Sequence, residues 1–237
     1  MSFLEIRGLS KRFGSLRALD GFDLSVPRGG LTALIGPNGA GKTTAFGCIA
    51  GAQRPSAGSI RFEGREIAGF PYHQVARLGI VRTYQVVQPF AEMTALDAVT
   101  VGALLRRPRV ADARDFAGAT LENLGLGPKR DAVAGSLTIG DKKRLELARA
   151  LATEPEVLLL DEVMAGLTPT ECAAAVEVLR AILARGITIV MVEHVMEVLM
   201  PLAGHVVVLA AGRVIFDGRP TDAVNDPAVI EAYLGRP

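Results

Sequence analysis

The chain has no tryptophan and only two cysteines, Cys48 and Cys172, among 237 residues. Neither cysteine sits in a CxxC pair or a Cys/His cluster, which argues against a disulfide framework and a zinc site and for reduced thiols. A strong charge of one sign is also lacking: 26 basic and 25 acidic residues leave a formal net charge of +1. That balance is not the basic surface of a dedicated nucleic-acid binder. Long apolar runs are missing too. Val157 to Leu160 and Val206 to Ala211 fall far short of the ~18 residues needed to cross a bilayer. Residues 1–7 carry no basic region followed by an apolar stretch, so no signal peptide is expected. Any membrane role must then pass through a partner. No repeat or low-complexity tract is visible.

What is present is ordinary globular material, with 49% hydrophobic and 22% charged residues, enough for one large domain. Short apolar runs alternate with helical patterns, which predicts an α/β fold with a mostly parallel sheet. Early strands are expected at Phe3-Leu4-Glu5-Ile6-Arg7 and Phe22-Asp23-Leu24-Ser25-Val26, followed by the apolar strand Leu31 to Ile35. Around Ile60 and Phe62 the alternation and the Glu63-Gly64-Arg65 turn predict an antiparallel hairpin, making an N-terminal antiparallel β part. Val157 to Leu160, Ile187 to Val192 and Val206 to Leu209 read as buried strands, the last turning at Ala211-Gly212-Arg213 into Val214 to Phe216. Thr168-Pro169-Thr170-Glu171 is a capping box that opens a helix closed near Gly186. Residues 89–135 show helical patterns without a convincing strand and are read as a helical lobe inserted into the sheet domain.

Gly36-Pro37-Asn38-Gly39-Ala40-Gly41-Lys42-Thr43 matches G-x-x-x-x-G-K-[ST] in full and lies between a strand and a helical stretch. The match arises by chance in roughly 1% of chains of this length, and its strand-loop-helix setting lowers that figure. Glycines let backbone amides close around phosphate oxygens. The helix N-terminus adds partial positive charge, Lys42 reaches the β- and γ-phosphates, and the Thr43 hydroxyl suits Mg²⁺. Thr44 is counted with the loop. The spacing is not the G-x-G-x-x-G of a dinucleotide site.

Val157-Leu158-Leu159-Leu160-Asp161-Glu162 ends an apolar strand with two acids. Ligands of open α/β sheets bind at the carboxyl ends of strands. Asp161 is therefore a candidate for the Mg²⁺ shell, and Glu162 for the general base that activates water. Alone, such a strand end is as often a pair of solvated acids; the phosphate loop is what tips the reading.

Further segments select a branch of the P-loop proteins. Thr83-Tyr84-Gln85, Leu137-Thr138-Ile139-Gly140-Asp141-Lys142-Lys143-Arg144, Ala165-Gly166-Leu167-Thr168 and Glu193-His194 follow one another in the order found in ABC-type ATPases, which the chain resembles over essentially its whole length. The resemblance implies that residues 1–88 and 151–237 form the nucleotide-binding core and that 89–150 form a helical subdomain with the signature segment. It implies that Gln85 contacts Mg²⁺ and water and that His194 lies near the γ-phosphate. Thr138, Gly140 and Asp141 would contact the nucleotide of an opposite subunit, and Phe13 would stack on adenine. The signature departs from L-S-G-G-Q: Ile139 adds bulk, and Asp141 places negative charge near a nucleotide, which Lys142, Lys143 and Arg144 are positioned to offset. Val163 replaces a usual proline, and Thr168 a usual Asp or Asn.

Val81-Arg82-Thr83-Tyr84-Gln85, the run from Asp161 to Leu167 and the tail from Asp226 to Gly235 are similar to ATPase subunits of branched-chain amino-acid importers; urea-type importers and the lipopolysaccharide-export ATPase are related alternatives. The resemblance implies ATP and Mg²⁺ as cofactors, and a homodimer or a heterodimer with a paralogue. It also implies two integral-membrane permease subunits, an indirect link to a solute-binding protein, and a place on the cytoplasmic face of the inner membrane. The apolar Val86, Val87, Pro89 and Phe90 are candidates for gripping the permease. A soluble P-loop kinase or GTPase is disfavoured by the signature and by the lack of an N-K-x-D motif. A repair or translation ABC protein is disfavoured because the chain carries neither a second ATPase unit nor long insertions.

Overall fold

The computed structural model describes residues 2–83, 90–193 and 196–234. Strands β1 (Leu4–Phe13) and β2 (Leu16–Val26) form an antiparallel hairpin with Leu4 opposite Val26 and irregular register beyond Ile6. Strand β3 (Leu31–Ile35) is buried throughout and feeds helix α1 (Lys42–Ile49). Strands β4 (Ala57–Phe62) and β5 (Arg65–Glu66) follow, then α2 (Tyr72–Leu78) and the short β6 (Ile80–Arg82). The middle of the chain is helical: α3 (Ala95–Ala103), α4 (Val110–Asn123) and α5 (Ile139–Ala152). Then come β7 (Val157–Asp161), α6 (Pro169–Ala184), β8 (Thr188–Val192) and α7 (Met196–Leu199). The chain continues through β9 (His205–Ala210), β10 (Arg213–Gly218), α8 (Pro220–Ala223) and α9 (Pro227–Leu234).

Among the described residues the strands make two sheets. One is antiparallel in the order β2-β1-β4-β5; the other runs β10-β9-β3-β8-β7-β6. All neighbours in the second sheet are parallel except β10, which returns antiparallel along β9. The period of two along each strand divides this sheet between two cores. Leu34, Leu159, Val190, Val192 and Val207 face Phe22, Phe46 and Ile60, so α1 is sandwiched between the sheets. Ala33, Ile35, Leu158, Leu160, Ile189 and Met191 face the other way, onto a core shared with α3, α4, α5 and α6. A strand buried on both faces must be apolar throughout, and β7 and β8 are nearly so.

Several expectations hold and others need extending. The expected hairpin turn lies between β4 and β5, with Glu63 at φ 49 and Gly64 at φ 79, the positive pair that a primed turn needs. The Thr168–Glu171 capping box is present in both directions, and Gly186, at φ 81, sits one residue past the cap of α6. The first strand runs six residues beyond Arg7, because polar Lys11 and Arg12 lie on a solvent-facing hairpin whose pairing is set by backbone bonds. Strand β6 and helix α2 were not anticipated.

Leu158 is fully buried in the centre of the parallel sheet. Leu158→Ala is expected to cost about 2–5 kcal/mol of unfolding free energy, measured by urea denaturation; a loss under about 1 kcal/mol would show that this strand is not a packed centre.

Candidate active site

The loop after β3 cannot be built with side chains at two of its glycines. A Cβ on Gly36, whose φ is 150, would lie 2.0 Å from the Leu209 carbonyl oxygen. One on Gly41, at φ 109, would lie 2.5 Å from the Ala18 carbonyl oxygen. The loop therefore threads between β9 and β2, and the Gly212 amide anchors it by donating to the Ala40 carbonyl (2.9 Å). Gly41 precedes α1 without any side-chain cap, so the first amides of that helix are left for an anion. Lys42 is buried, and its Nζ donates to the carbonyls of Gly36 (2.6 Å) and Pro37 (3.0 Å). Burial pulls its pKa below the usual lysine value, and the carboxylates of Glu162 and Asp161 pull it back up.

Phe13, Arg17, Asn38, Gly39, Ala40, Gly41, Lys42, Thr43, Thr44 and Glu162 line one cleft of about 480 Å³, within the ~300–1,000 Å³ typical of ligand sites. The cleft thus brings together one end of β1, the loop and the residue after β7. Phe13 is largely exposed there, with the Lys11 ammonium 4.9 Å from its ring centre. Gln85 and His194 lie outside the described residues.

Asp161 ends β7 fully buried, and Arg82, itself buried, donates to its Oδ2 at 2.6 Å. The Thr83 hydroxyl accepts from the Asp161 amide at 3.4 Å. Sequence reasoning missed Arg82, because nothing local marks a partner 79 residues away. Glu162 follows in the left-handed region at φ 51, its amide donating to the Val192 carbonyl at 2.9 Å. Glu193, also buried, accepts from the Met164 amide at 2.7 Å, tying the end of β8 to the turn after Glu162.

The donor chemistry fits a magnesium ion. That ion takes one or two carboxylates and completes its shell with phosphate and water rather than with a protein cage. The Thr43 hydroxyl lines the cleft; Asp161, which would supply the carboxylate, does not line it and is held buried by Arg82.

Thr138, Gly140 and Asp141 do not line this cleft. They form the start of α5, with Thr138 as its N-cap. The expected negative charge is not offered outward: Asp141 is buried and paired to Lys129, Arg144 and the Thr138 hydroxyl. Burial raises its pKa, but those hydrogen bonds and charges prevail and hold it below the ordinary carboxylate value. Lys129 was not anticipated as a partner. Lys143 serves elsewhere, donating to the Glu162 carbonyl at 2.7 Å. Ile139 is exposed at the tip. The two cysteines are free, and burial pushes the Cys48 thiol up to about 11.

Comparison with known proteins assigns the class. A family model described as ABC transporter matches residues 19–165, and the chain belongs to that family, as an ATP-binding, ATP-hydrolysing cassette. A second model, branched-chain amino acid ATP-binding cassette transporter, matches residues 213–237. The chain is similar to the high-affinity branched-chain amino acid transport ATP-binding protein BraF of Pseudomonas aeruginosa, with 39% identity covering 98% of this chain and 97% of the relative. LivG of Escherichia coli strain K12, described in the same words, is 37% identical, covering 98% of this chain and 97% of the relative. A nucleotide-free ATP-binding cassette from an ABC transporter superposes with TM-score 0.91 at 31% identity, covering all of both chains. The ADP conformation of MJ1267, another such cassette, gives 0.90 at 32%, again covering all of both chains.

The Asp141 network predicts a pH dependence. A depressed carboxylate pKa contributes stability that is complete above the unfolded value, 3.8, and is lost as pH falls through the folded value. Asp141→Asn should therefore lower the urea midpoint at pH 7, and its deficit relative to the parent should shrink below about pH 4. An equal deficit at pH 7 and pH 3 would contradict the ion-pair account.

Proposed function

We propose that the chain powers solute import by hydrolysing ATP in the cleft between its phosphate loop and Glu162, and that branched-chain or related amino acids are the solute. The observation that carries the catalytic reading is the placement of Lys42 and Glu162 on one cleft, at the carboxyl ends of β3 and β7. The solute class rests on the near-complete coverage by BraF and LivG and on the match of the C-terminal tail.

In this reading the loop amides and Lys42 hold the β- and γ-phosphates, and Phe13 stacks on the base. Mg²⁺, held by Thr43 and Asp161 with Gln85, would neutralise charge on the phosphate oxygens. Glu162 takes the proton of the attacking water, and His194 stabilises charge on the transferring phosphoryl group. Two cassettes, identical or paralogous, enclose two nucleotides, each between one loop and the opposing Thr138–Asp141 segment. Closure of that dimer drives two permease subunits at the inner face of the membrane, so nucleotide acts as the ligand of a two-state device. Residues 1–88 and 151–237 act as the nucleotide-binding core and 89–150 as the arm that answers to the permease. No helix among the described residues is long and apolar enough to cross a membrane.

Glu162→Gln should bind ATP yet hydrolyse it at least ~100-fold more slowly; near-normal turnover removes Glu162 from the role of base. Lys42→Ala should weaken ATP binding by roughly tenfold or more, the scale of one charge-assisted contact, and unchanged affinity by calorimetry would contradict its role. Deleting the gene should abolish high-affinity leucine uptake by whole cells. Intact leucine uptake with lost urea uptake or defective lipopolysaccharide export would select a related system instead.

A further inference from the structure

Glu162 is held in a backbone conformation that its side chain disfavours. A non-glycine residue at φ 51 persists only where its surroundings over-determine it. Hydrogen bonds to Glu162 itself restrain this turn, beside the Met164–Glu193 bond already described. The Glu162 amide donates to Val192 of β8 at 2.9 Å, and the Ala165 amide donates back to the Glu162 carbonyl at 3.3 Å. A side chain of α5 adds to these: Lys143 Nζ reaches the same carbonyl at 2.7 Å.

Lys143 is the fifth residue of α5, the helix whose first turn carries Thr138, Ile139, Gly140 and Asp141. It is not required to neutralise Asp141, which Lys129 and Arg144 already do. The same end of α5 also seats on the far end of the turn segment. A Cβ on Gly140 would lie 2.4 Å from Glu171 Oε1 and 3.7 Å from Leu167 Cδ2, and Glu171 closes the capping box of α6. The first turns of α5 therefore touch both ends of residues 162–171.

We propose that Lys143 is a positioning residue for Glu162: its ammonium fixes the carbonyl of the left-handed turn and so aims the carboxylate, making that aim depend on where α5 sits. The inference rests on the reading of Glu162 as the group that activates water. The physical basis is direct. A charge-assisted bond is about twice as strong as a neutral one. Without it, only the longer Ala165 bond restrains the peptide between 162 and 163, so the left-handed turn relaxes and the side chain is re-aimed. A displacement of about 1 Å at a reacting group costs up to ~100-fold in rate. Because α5 also carries the segment proposed to face the opposing nucleotide, a shift of that helix reaches the chain's own catalytic turn through one side chain.

The test uses the full chain with Mg-ATP. Lys143→Met keeps the length of the stem and removes the donor; Lys143→Arg keeps a cationic donor. Lys143 is partly exposed, so both variants should melt within ~2 °C of the parent. Lys143→Met is expected to lower kcat by ~10-fold or more, with KM and the affinity for a fluorescent ATP analogue changed by no more than about twofold. Lys143→Arg should recover most of that loss. Unchanged kcat in Lys143→Met, an effect confined to KM, or an equal loss in Lys143→Arg would each overturn the proposal. Glu162→Gln, run alongside, separates the two ideas. If Glu162→Gln is slow while Lys143→Met turns over normally, only the lysine's role fails. If Glu162→Gln turns over normally, the reading beneath it fails first.

Discussion

The site depends on how the backbone of one loop is packed. Gly36 and Gly41 pass so close to the carbonyls of Leu209 and Ala18 that no side chain fits at either position. The loop's course is set by β9 and β2 rather than by its own side chains. That constraint leaves the α1 amides uncapped and buries Lys42, whose ammonium would be costly to bury without partners. Its own loop supplies them, through the carbonyls of Gly36 and Pro37. An ammonium held this way has its buried charge satisfied by the loop until a phosphate takes over from the carbonyls.

The carboxylates illustrate the same economy. Asp161 and Glu162 are adjacent in sequence but differ in environment. Asp161 closes a buried strand and is paired to buried Arg82, whereas Glu162 turns out into the cleft through a left-handed residue. A buried ion pair contributes little net stability on its own, and its value here is geometric. Arg82 and Thr83 hold Asp161 by carboxylate and amide, directly before the stretch that contains Gln85. The left-handed Glu162 is in turn restrained by β8 and by α5, whereas both supports of Asp161 come from the end of β6.

Much of this was legible in the sequence where the signal was local. The buried strands β3, β7 and β8 announce themselves as apolar runs, the capping box of α6 by four residues, and the phosphate loop by its spacing. The glycines of that loop were read for phosphate contact; the structure adds that two of them are also required by close backbone neighbours. Strand β6 escaped because three residues carry no periodicity, and most of β1 because its outer half pairs in solvent. The partners that complete the site were not legible at all. Arg82 meets Asp161 across 79 residues, and Lys129 meets Asp141 across twelve. The charge of Asp141 looked exposed on paper and is neutralised in the fold, since burial and pairing follow from how α5 packs and not from the signature itself.

A crystal structure of the Glu162→Gln chain grown with Mg-ATP tests the central claim most directly. The account predicts the triphosphate wrapped by residues 36–43, with Lys42 Nζ moved from its loop carbonyls onto β- and γ-oxygens and residue 162 facing the γ-phosphate. A triphosphate bound elsewhere, or a cleft between Phe13 and Glu162 that stays unliganded at saturating nucleotide, would contradict it.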